Sequence, residues 1–563
     1  MNTSYINRSR VMKKMANLLP MLELKLNETF SPVLLQPFSL RYLLPLAIFI
    51  ILFYRWSSSH TKSPSAPPSP PKLPVIGNLH QIGLLAHRSL QTLAQRYGPD
   101  LMLLHFGSRL VLIVSSTEAV SEIFKTHDLA FSDRPKLIIF EKVVYNYRDI
   151  VGAPYGEYWR QVRSICVLNL LSYKRVRSFG SVRLEETKLM MSNIEQSCST
   201  ETISSPSSSS SSSSVLDLSE MFTKLTNDVI CRVALGRKYS DRAEGRGRMF
   251  MELSTELSQM FTRVNIGDYI PWLAWFTRVN GLDAKLDDLA KRVDGFMDMI
   301  IQEHMDKSNN GNDDDNHEDE KDFVDVLLSV QKENALGYPI DRVSIKAIIL
   351  DIFVAGTDTT STALEWAMSE LLRNPQVMRK LQNEVREIVG NKKNVTEEDL
   401  VKMHYLKAIT KETFRLHPPF PLLLPRMCNK DVKIKGYNIN ANTQVMVNAW
   451  ALGKDPASYT DPEQFIPERF LNSTIDYKGN NSELIPFGAG RRGCPGIQFA
   501  MVLEELALAN IVHKFDWALP HGAKVVDLDM TETSGAIARR KYPLKAIATL
   551  FKENCEKMGD SSS

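Results

Sequence analysis

Paired cysteines are missing from this sequence. Its six cysteines, Cys166, Cys198, Cys231, Cys428, Cys494 and Cys555, lie far apart, and none belongs to a Cys-x-x-Cys pair. That argues against a zinc site of paired thiolates and against a dense disulfide framework, and it suits a reducing compartment. A strong net charge is missing as well: the balance over 563 residues is +3, which gives no sign of a nucleic-acid protein. No internal repeat is present. What the chain does have, 43% hydrophobic and 24% charged residues, suits a large globular enzyme with an ample core.

An uninterrupted membrane-length run is also lacking. Residues 42–54 read YLLPLAIFIILFY without a charge, short of the roughly 20 residues a spanning helix needs. Extending back to Phe30 reaches that length and takes in Pro32, Pro37 and Arg41. A signal peptide and a plastid transit peptide are rival readings. An uncleaved anchor is preferred, because Arg55-Trp56 and a proline run follow where a small-residue cleavage site would stand. Arg8, Arg10, Lys13 and Lys14 upstream bear on orientation, since basic flanks tend to stay cytosolic. Met21 is an alternative start that would remove them. The expected organisation is a leader over 1–29, an anchor over 30–56, a proline-rich hinge over 57–78 and a catalytic domain over 79–563. Pro64, Pro67, Pro68, Pro70, Pro71 and Pro74 make the hinge an extended, semi-rigid spacer.

Residues 101–116 predict two short strands about a turn at Gly107-Ser108. Strand segments return at 432–447 and 544–550, and most of the rest predicts helix. The fold class expected is mainly α with small β-sheets. Two insertions, the serine run at 204–214 and the acidic stretch at 308–321, read as solvated loops between helices.

Three segments carry chemistry. Residues 345–372 show apolar periodicity on both sides of Ala355-Gly356-Thr357-Asp358-Thr359-Thr360, and Pro375 closes the helix. Gly and Ser/Thr weaken a helix locally and hydroxyls can bend it; a carboxylate beside hydroxyls in a groove suits a proton relay, and a locally polar face is the bland alternative. Next, Glu412 and Arg415 share a helical face at i, i+3, a spacing that Glu370 and Arg373 repeat. An exposed pair of that kind contributes little. Last, Phe487-Gly488-Ala489-Gly490-Arg491-Arg492-Gly493-Cys494-Pro495-Gly496 precedes an apolar helix. Its glycines permit a tight turn close to a flat ligand. The helix end and nearby arginine favour a thiolate at Cys494, a strong axial ligand for haem iron. Gly488, Gly490 and Gly493 also match a dinucleotide fingerprint, but only about seventy residues follow, too few for that fold. A structural cysteine in a Gly-rich turn is the other reading of this loop alone.

Taken together, these segments resemble the cytochrome P-450 family, in its plant microsomal type of the 71 clan. The resemblance runs from the hinge to the C-terminus through PPSPPKLPVIGNLHQ, Trp159-x-x-x-Arg163, AGTDTT, Glu412-x-x-Arg415, Pro467-Glu468-Arg469-Phe470 and the loop ending at Cys494-x-Gly496. It implies the cytochrome P-450 fold, with Cys494 as axial ligand of haem b. Trp159, Arg163, Arg492 and Arg426 would serve the haem propionates, Phe487 would shield the sulfur, and Glu412, Arg415 and Arg469 would form a buried triad. Asp358 and Thr359 would deliver protons beside a widening at Ala355-Gly356. The loop 132–147, Ile348, Asp351, Val354, 420–423 and 535–537 would line the substrate pocket.

The resemblance further implies a monooxygenase inserting oxygen from O2 into a small hydrophobic metabolite of terpenoid, alkaloid or coumarin type. With no flavin module in the chain, electrons from NADPH would arrive through a cytochrome reductase, with cytochrome b5 as a second candidate donor. Arg160, Lys174, Arg175, Arg177 and Arg491 would steer that acidic partner. The other partner is membrane lipid; the expected location is the endoplasmic reticulum membrane, single-pass, with the catalytic domain facing the cytosol. Oxidative cyclisation, dehydration or rearrangement without net hydroxylation is the alternative outcome, and a non-catalytic haem binder a third.

Overall fold

The computed structural model of the chain describes residues 45–51, 65–199, 214–239, 245–262, 265–309, 321–333 and 340–551. Residues 1–64 with 73–75 form one compact unit, and residues 65–72 with 76–563 form the other. In the first, residues 45–51 are helical, and Leu46, Ile48, Phe49, Ile50 and Ile51 are exposed. The leader and most of the expected anchor lie outside the described residues, as do most of the serine run and of the acidic insertion.

The larger unit is mainly helical. Its longer helices are α1 (Ala86–Tyr97), α2 (Glu157–Ile165), α3 (Gly180–Ser199), α4 (Leu218–Leu235), α5 (Gly245–Thr262), α6 (Leu282–Asn309), α7 (Phe323–Glu333), α8 (Arg342–Arg373), α9 (Pro375–Val389), α10 (His404–Leu416) and α11 (Ile497–Lys514). The strands are β1 (Leu101–Phe106), β2 (Arg109–Val114), β3 (Leu216–Asp217), β4 (Arg426–Met427), β5 (Val432–Ile434), β6 (Tyr437–Ile439), β7 (Gln444–Val447), β8 (Phe515–Ala518) and β9 (Lys545–Leu550). They make a four-stranded sheet in the order β1-β2-β7-β4, a three-stranded sheet β3-β9-β8 and a hairpin β5-β6. In the first, β1 meets β2 antiparallel with Leu101 opposite Val114, while β2 and β7 run parallel.

The long helix α8 organises the core. Asp341 starts it by accepting from Ser344 N at 2.8 Å, and Pro375, which has no N–H to donate, opens the next helix. Its apolar positions Ile345, Ile348, Ile349, Leu364, Trp366 and Leu371 are buried, and it packs against α4 and α11. Among the described residues α8 is the one helix long and apolar enough to cross a membrane, and most of that apolar length is buried inside the fold.

The polar centre of α8 does not interrupt it. Thr357 donates to Phe353 O (3.0 Å), Thr359 to Ala355 O (2.6 Å) and Thr362 to Asp358 O (2.7 Å). Each hydroxyl thus returns to a carbonyl one turn earlier, and the helix continues through the Ser/Thr cluster as one element.

Candidate active site

One cavity lies between the middle of α8 and the segment that leads into α11. Its floor is the cysteine loop. Gly490, at φ +64°, opens a short turn of helix at Gly490–Arg492, and Cys494 N donates to Phe487 O at 2.9 Å, which closes the loop. A Cβ at Gly490 would fall 2.2 Å from Asp128 Oδ1, so backbone angle and space both require glycine there. The Cys494 side chain opens into the cavity while protein encloses the cavity around it. Burial pushes its thiol up, against the Gly496 N–H (3.3 Å to the sulfur) and Arg163, which favour the anion. The arginine that acts on the sulfur is Arg163, brought by α2, where the sequence pointed to one near the cysteine in its own loop, and it does not outweigh burial. The Phe487 ring also lines the cavity, packed at 5.0 Å from Phe414 and 5.8 Å from Tyr477.

Trp159, Arg163, Arg426 and Arg492 all line the cavity and form one wall of it, and Arg134 joins them. Most of their donors go to backbone carbonyls. Arg492 donates to Ser132 O (2.7 Å), Ile150 O (3.2 Å) and Ala153 O (2.5 Å). Arg163 donates to Gly493 O (2.6 Å), Trp159 Nε1 to Ile150 O (2.9 Å), and Arg134 to Val151 O (3.0 Å), Leu424 O and Pro425 O (both 2.8 Å). Of the four guanidiniums only Arg426 forms an ion pair among the described residues, with Asp128 at 3.2 Å.

Burial presses on all four, and repulsion from a neighbouring guanidinium adds to it for Arg134, Arg426 and Arg492. Arg492 is pushed down to about 9, by burial first and then by Arg426. Arg426 is pushed down to about 10 by burial, with Arg163 adding to it and Asp128 opposing. Arg134 and Arg163 are held below the usual guanidinium value by burial. So much cationic charge with so few counter-charges fits a ligand that brings carboxylates to this wall. The residues fit haem: Cys494 would offer it a sulfur, the guanidiniums would meet its two carboxylates, and Phe487, Ala363 and Val447 would supply apolar contact.

Opposite the cysteine, α8 contributes Asp351, Ile352, Ala355, Gly356, Thr359 and Thr360 to the lining. Thr359 therefore faces the cavity, whereas Asp358 is not among the lining residues. The Asp358 carboxylate accepts from Ser258 Oγ and is paired with Arg539. The two residues expected to act together stand on different faces of the helix because consecutive positions are about 100° apart.

Below the loop, Glu412 and Arg415 on α10 are fully buried and Arg469 joins Glu412 at 3.0 Å. The low contribution expected of an exposed i, i+3 pair does not apply here. Glu370, which shows the same spacing to Arg373, is buried too and accepts from His417 at 2.8 Å.

Several pocket expectations are corrected. Ile348, Val354 and residues 535–537 are not among the lining residues, and of the loop 132–147 only Arg134 is. Ile348 is wholly buried in the helical core, one turn before Asp351 and Ile352 on the same face of α8, where neighbouring side chains close over it. Asp351, Phe420 and Leu423 do line it. Arg134 and Glu504 escaped the sequence reading. For Arg134 the signal was a lone arginine inside a loop already assigned to the pocket. Glu504, wholly buried at the inner end, has both carboxyl oxygens without a hydrogen-bond partner, and burial holds its carboxyl well above the usual range. Nothing in its helical spacing marks it.

Known proteins resemble this chain along most of its length. The profile of the cytochrome P-450 family matches residues 67–547. Cytochrome P-450 736A117 of Prunus mume is 64% identical over 93% of this chain and 98% of its own. Norfluorocurarine oxidase of a Strychnos species is 51% identical over 91% of this chain and 98% of its own. A 3-beta-hydroxylase of Tanacetum parthenium is 48% identical over 89% and 96%. Among solved structures, a zebrafish cytochrome P-450 with abiraterone aligns at TM-score 0.68 and 24% identity, covering 84% of this chain and 100% of its own.

Proposed function

The chain belongs to the cytochrome P-450 family of haem-dependent monooxygenases, and on that premise we propose that Cys494 holds the iron and that the substrate is a small hydrophobic plant metabolite. Members of the family carry haem and draw on NADPH indirectly, through a reductase. The observation that carries the assignment is the meeting of Cys494 and four guanidiniums in one cavity, with Thr359 on the facing helix.

When bound, haem supplies activation of dioxygen and transfer of an oxygen atom. The chain's own residues prepare the place for it. Cys494 offers its sulfur once its proton is lost, a step the Gly496 N–H and Arg163 assist. Arg134, Arg163, Arg426 and Arg492 would take the propionates and so relieve the repulsion among them, with the Trp159 ring packed 4.1 Å from the Arg492 guanidinium to hold it in place. Phe487 covers the sulfur side against water. Thr359 holds a proton at Oγ1 on the oxygen side, at present donated to Ala355 O. Asp358 is the next group along the relay: its carboxylate would part from Arg539 or Ser258, take a proton from water and pass it on toward Thr359.

Phe124, Val151, Ile352, Phe420, Leu423 and Val445 give the cavity a mainly apolar lining, which suits a terpenoid, alkaloid or coumarin skeleton. The relative named as an oxidase of norfluorocurarine and the one named as a 3-beta-hydroxylase support an oxidised specialised metabolite. Exposed Arg160, Lys174 and Arg177, with Arg491 in the cysteine loop, would receive the acidic face of the reductase. The apolar segment 30–56 supports a single-pass anchor in the endoplasmic reticulum membrane, with the catalytic unit in the cytosol.

The test is the absorption spectrum of the reduced, carbon-monoxide-bound protein beside a Cys494→Ala variant. A strongly red-shifted Soret band that the variant loses is the expected result. A band at the position of histidine-ligated haem, or no haem, overturns the assignment.

A further inference from the structure

The wall of guanidiniums is itself held from behind. The segment from Asp149 to Ala153 points its N–H groups one way and its carbonyls the other. Ile150 N (2.7 Å) and Val151 N (3.2 Å) both donate to Asp351 Oδ2, and Gly152 N donates to Asp149 Oδ2 (2.5 Å). The carbonyls of Ile150, Val151 and Ala153 accept from Trp159, Arg492 and Arg134. One peptide unit carries the connection: its N–H, on Val151, meets the carboxyl of Asp351, and its C=O, on Ile150, meets both Trp159 Nε1 and Arg492 Nη1. A carboxyl oxygen on the N–H end of an amide polarises the C=O end and strengthens what it accepts, more so where water is excluded. Asp351 is buried, stands on α8 one turn before Ala355, and lines the cavity.

We propose that Asp351 is a positioning residue: through the Ile150–Val151 peptide it locks the arginine wall to the oxygen-side helix and so sets how firmly that wall holds the haem carboxylates. The inference rests on the assignment of that wall to haem. Among the described residues Asp351 makes no hydrogen bond to a guanidinium or to the indole; its action passes through the backbone. Because Ile150 and Val151 also line the cavity, the same lock places the surface on which a substrate rests.

Electrostatics agree with a shared, tightly held site. The groups facing Asp351 are the N–H groups of Ile150 and Val151, the carboxyl of Asp149 and the buried thiol of Cys166, and burial followed by Asp149 holds its own carboxyl well above the usual range. An uncharged carboxyl still accepts through its carbonyl oxygen, so the lock needs an oxygen at this place more than it needs a charge. Asparagine supplies one and alanine or leucine does not.

The experiment compares Asp351→Ala, Asp351→Leu and Asp351→Asn holoprotein with wild type in two readouts. The first is amide exchange in the peptide covering 150–152. It should speed up in the Ala and Leu variants, stay slow in Asn, and remain unchanged elsewhere along α8; general acceleration or no change overturns the proposal. The second is the rate of haem transfer to a scavenger protein, expected to rise about threefold to tenfold in Ala and Leu, the span of one lost hydrogen bond, with Asn near wild type. Combined with Arg492→Lys, Asp351→Ala should add little to the rate that Arg492→Lys gives alone, because both break one connection. Full additivity, or faster exchange with an unchanged haem rate, overturns the proposal. Were wild type to hold no haem, the functional reading would fall, and the exchange readout would still decide whether Asp351 holds this peptide.

Discussion

Arg415 grips Glu412 as a two-pronged fork, Nε to Oε2 at 2.7 Å and Nη2 to Oε1 at 2.8 Å, with neither side chain exposed to solvent. The remaining donors of Arg415 reach Gly453 O (2.5 Å), Pro462 O (2.7 Å) and Gln464 O (2.9 Å), while Glu412 also accepts from Arg469 and from Ile466 N at 2.7 Å. The pair therefore pins α10 to the segment 453–470 that runs toward the cysteine loop.

Glu412→Gln leaves Arg415 buried without its counter-charge, and the expected loss is about 3–5 kcal/mol. Arg415→Lys should fare little better, since an ammonium cannot span both oxygens and three carbonyls. Denaturant unfolding of the two variants checks this; a loss under 1 kcal/mol would contradict it.

Thr359→Ala removes the one hydroxyl of the expected relay that faces the cavity. Haem content and substrate binding should persist while NADPH consumption parts from product formation. The check is the ratio of product to NADPH, together with peroxide released. Equal ratios in the variant and wild type would refute the role.

Asp149 yields a pH dependence of stability. Burial raises its carboxyl from the ordinary 3.8 to about 6, although the Gly152 N–H and Arg492 act in the other direction. Between those two values the unfolded chain has released this proton and the native chain keeps it. The native state then binds more protons, so stability falls as pH rises through that window and is level above it. Two units correspond to a loss on the order of 3 kcal/mol. Asp149→Asn should flatten the dependence in urea titrations between pH 4 and pH 7, and an unchanged slope would count against the assignment.

Glu504 leaves two carboxyl oxygens buried with no partner. Replacing it by leucine removes that unmet demand and keeps the volume, so the variant should gain about 1–3 kcal/mol. A thermal midpoint lower than wild type would show that an ordered water or a bound group satisfies Glu504.

The sequence by itself determined the elements and the loop. Apolar periodicity marks α8 across its polar centre, the turn at Gly107-Ser108 lies between β1 and β2, and the glycine spacing marks the turn that presents Cys494. These are readable because spacing along the chain encodes local geometry: a helical face, an alternating strand, a positive φ. Burial is not encoded that way. Glu412 with Arg415 and Glu370 with Arg373 share a spacing, yet only the first pair is closed on every side, because Gly453, Pro462 and Gln464 arrive from later in the chain. Arg134 joins the wall because Leu424 and Pro425 bring carbonyls to it from some 290 residues away. Asp358 turns to Ser258 and Arg539, and Asp351 to Ile150 and Val151, for the same reason. Which partner a polar group meets, and in how dry a place, is settled when distant segments pack together, and tertiary structure alone decided it.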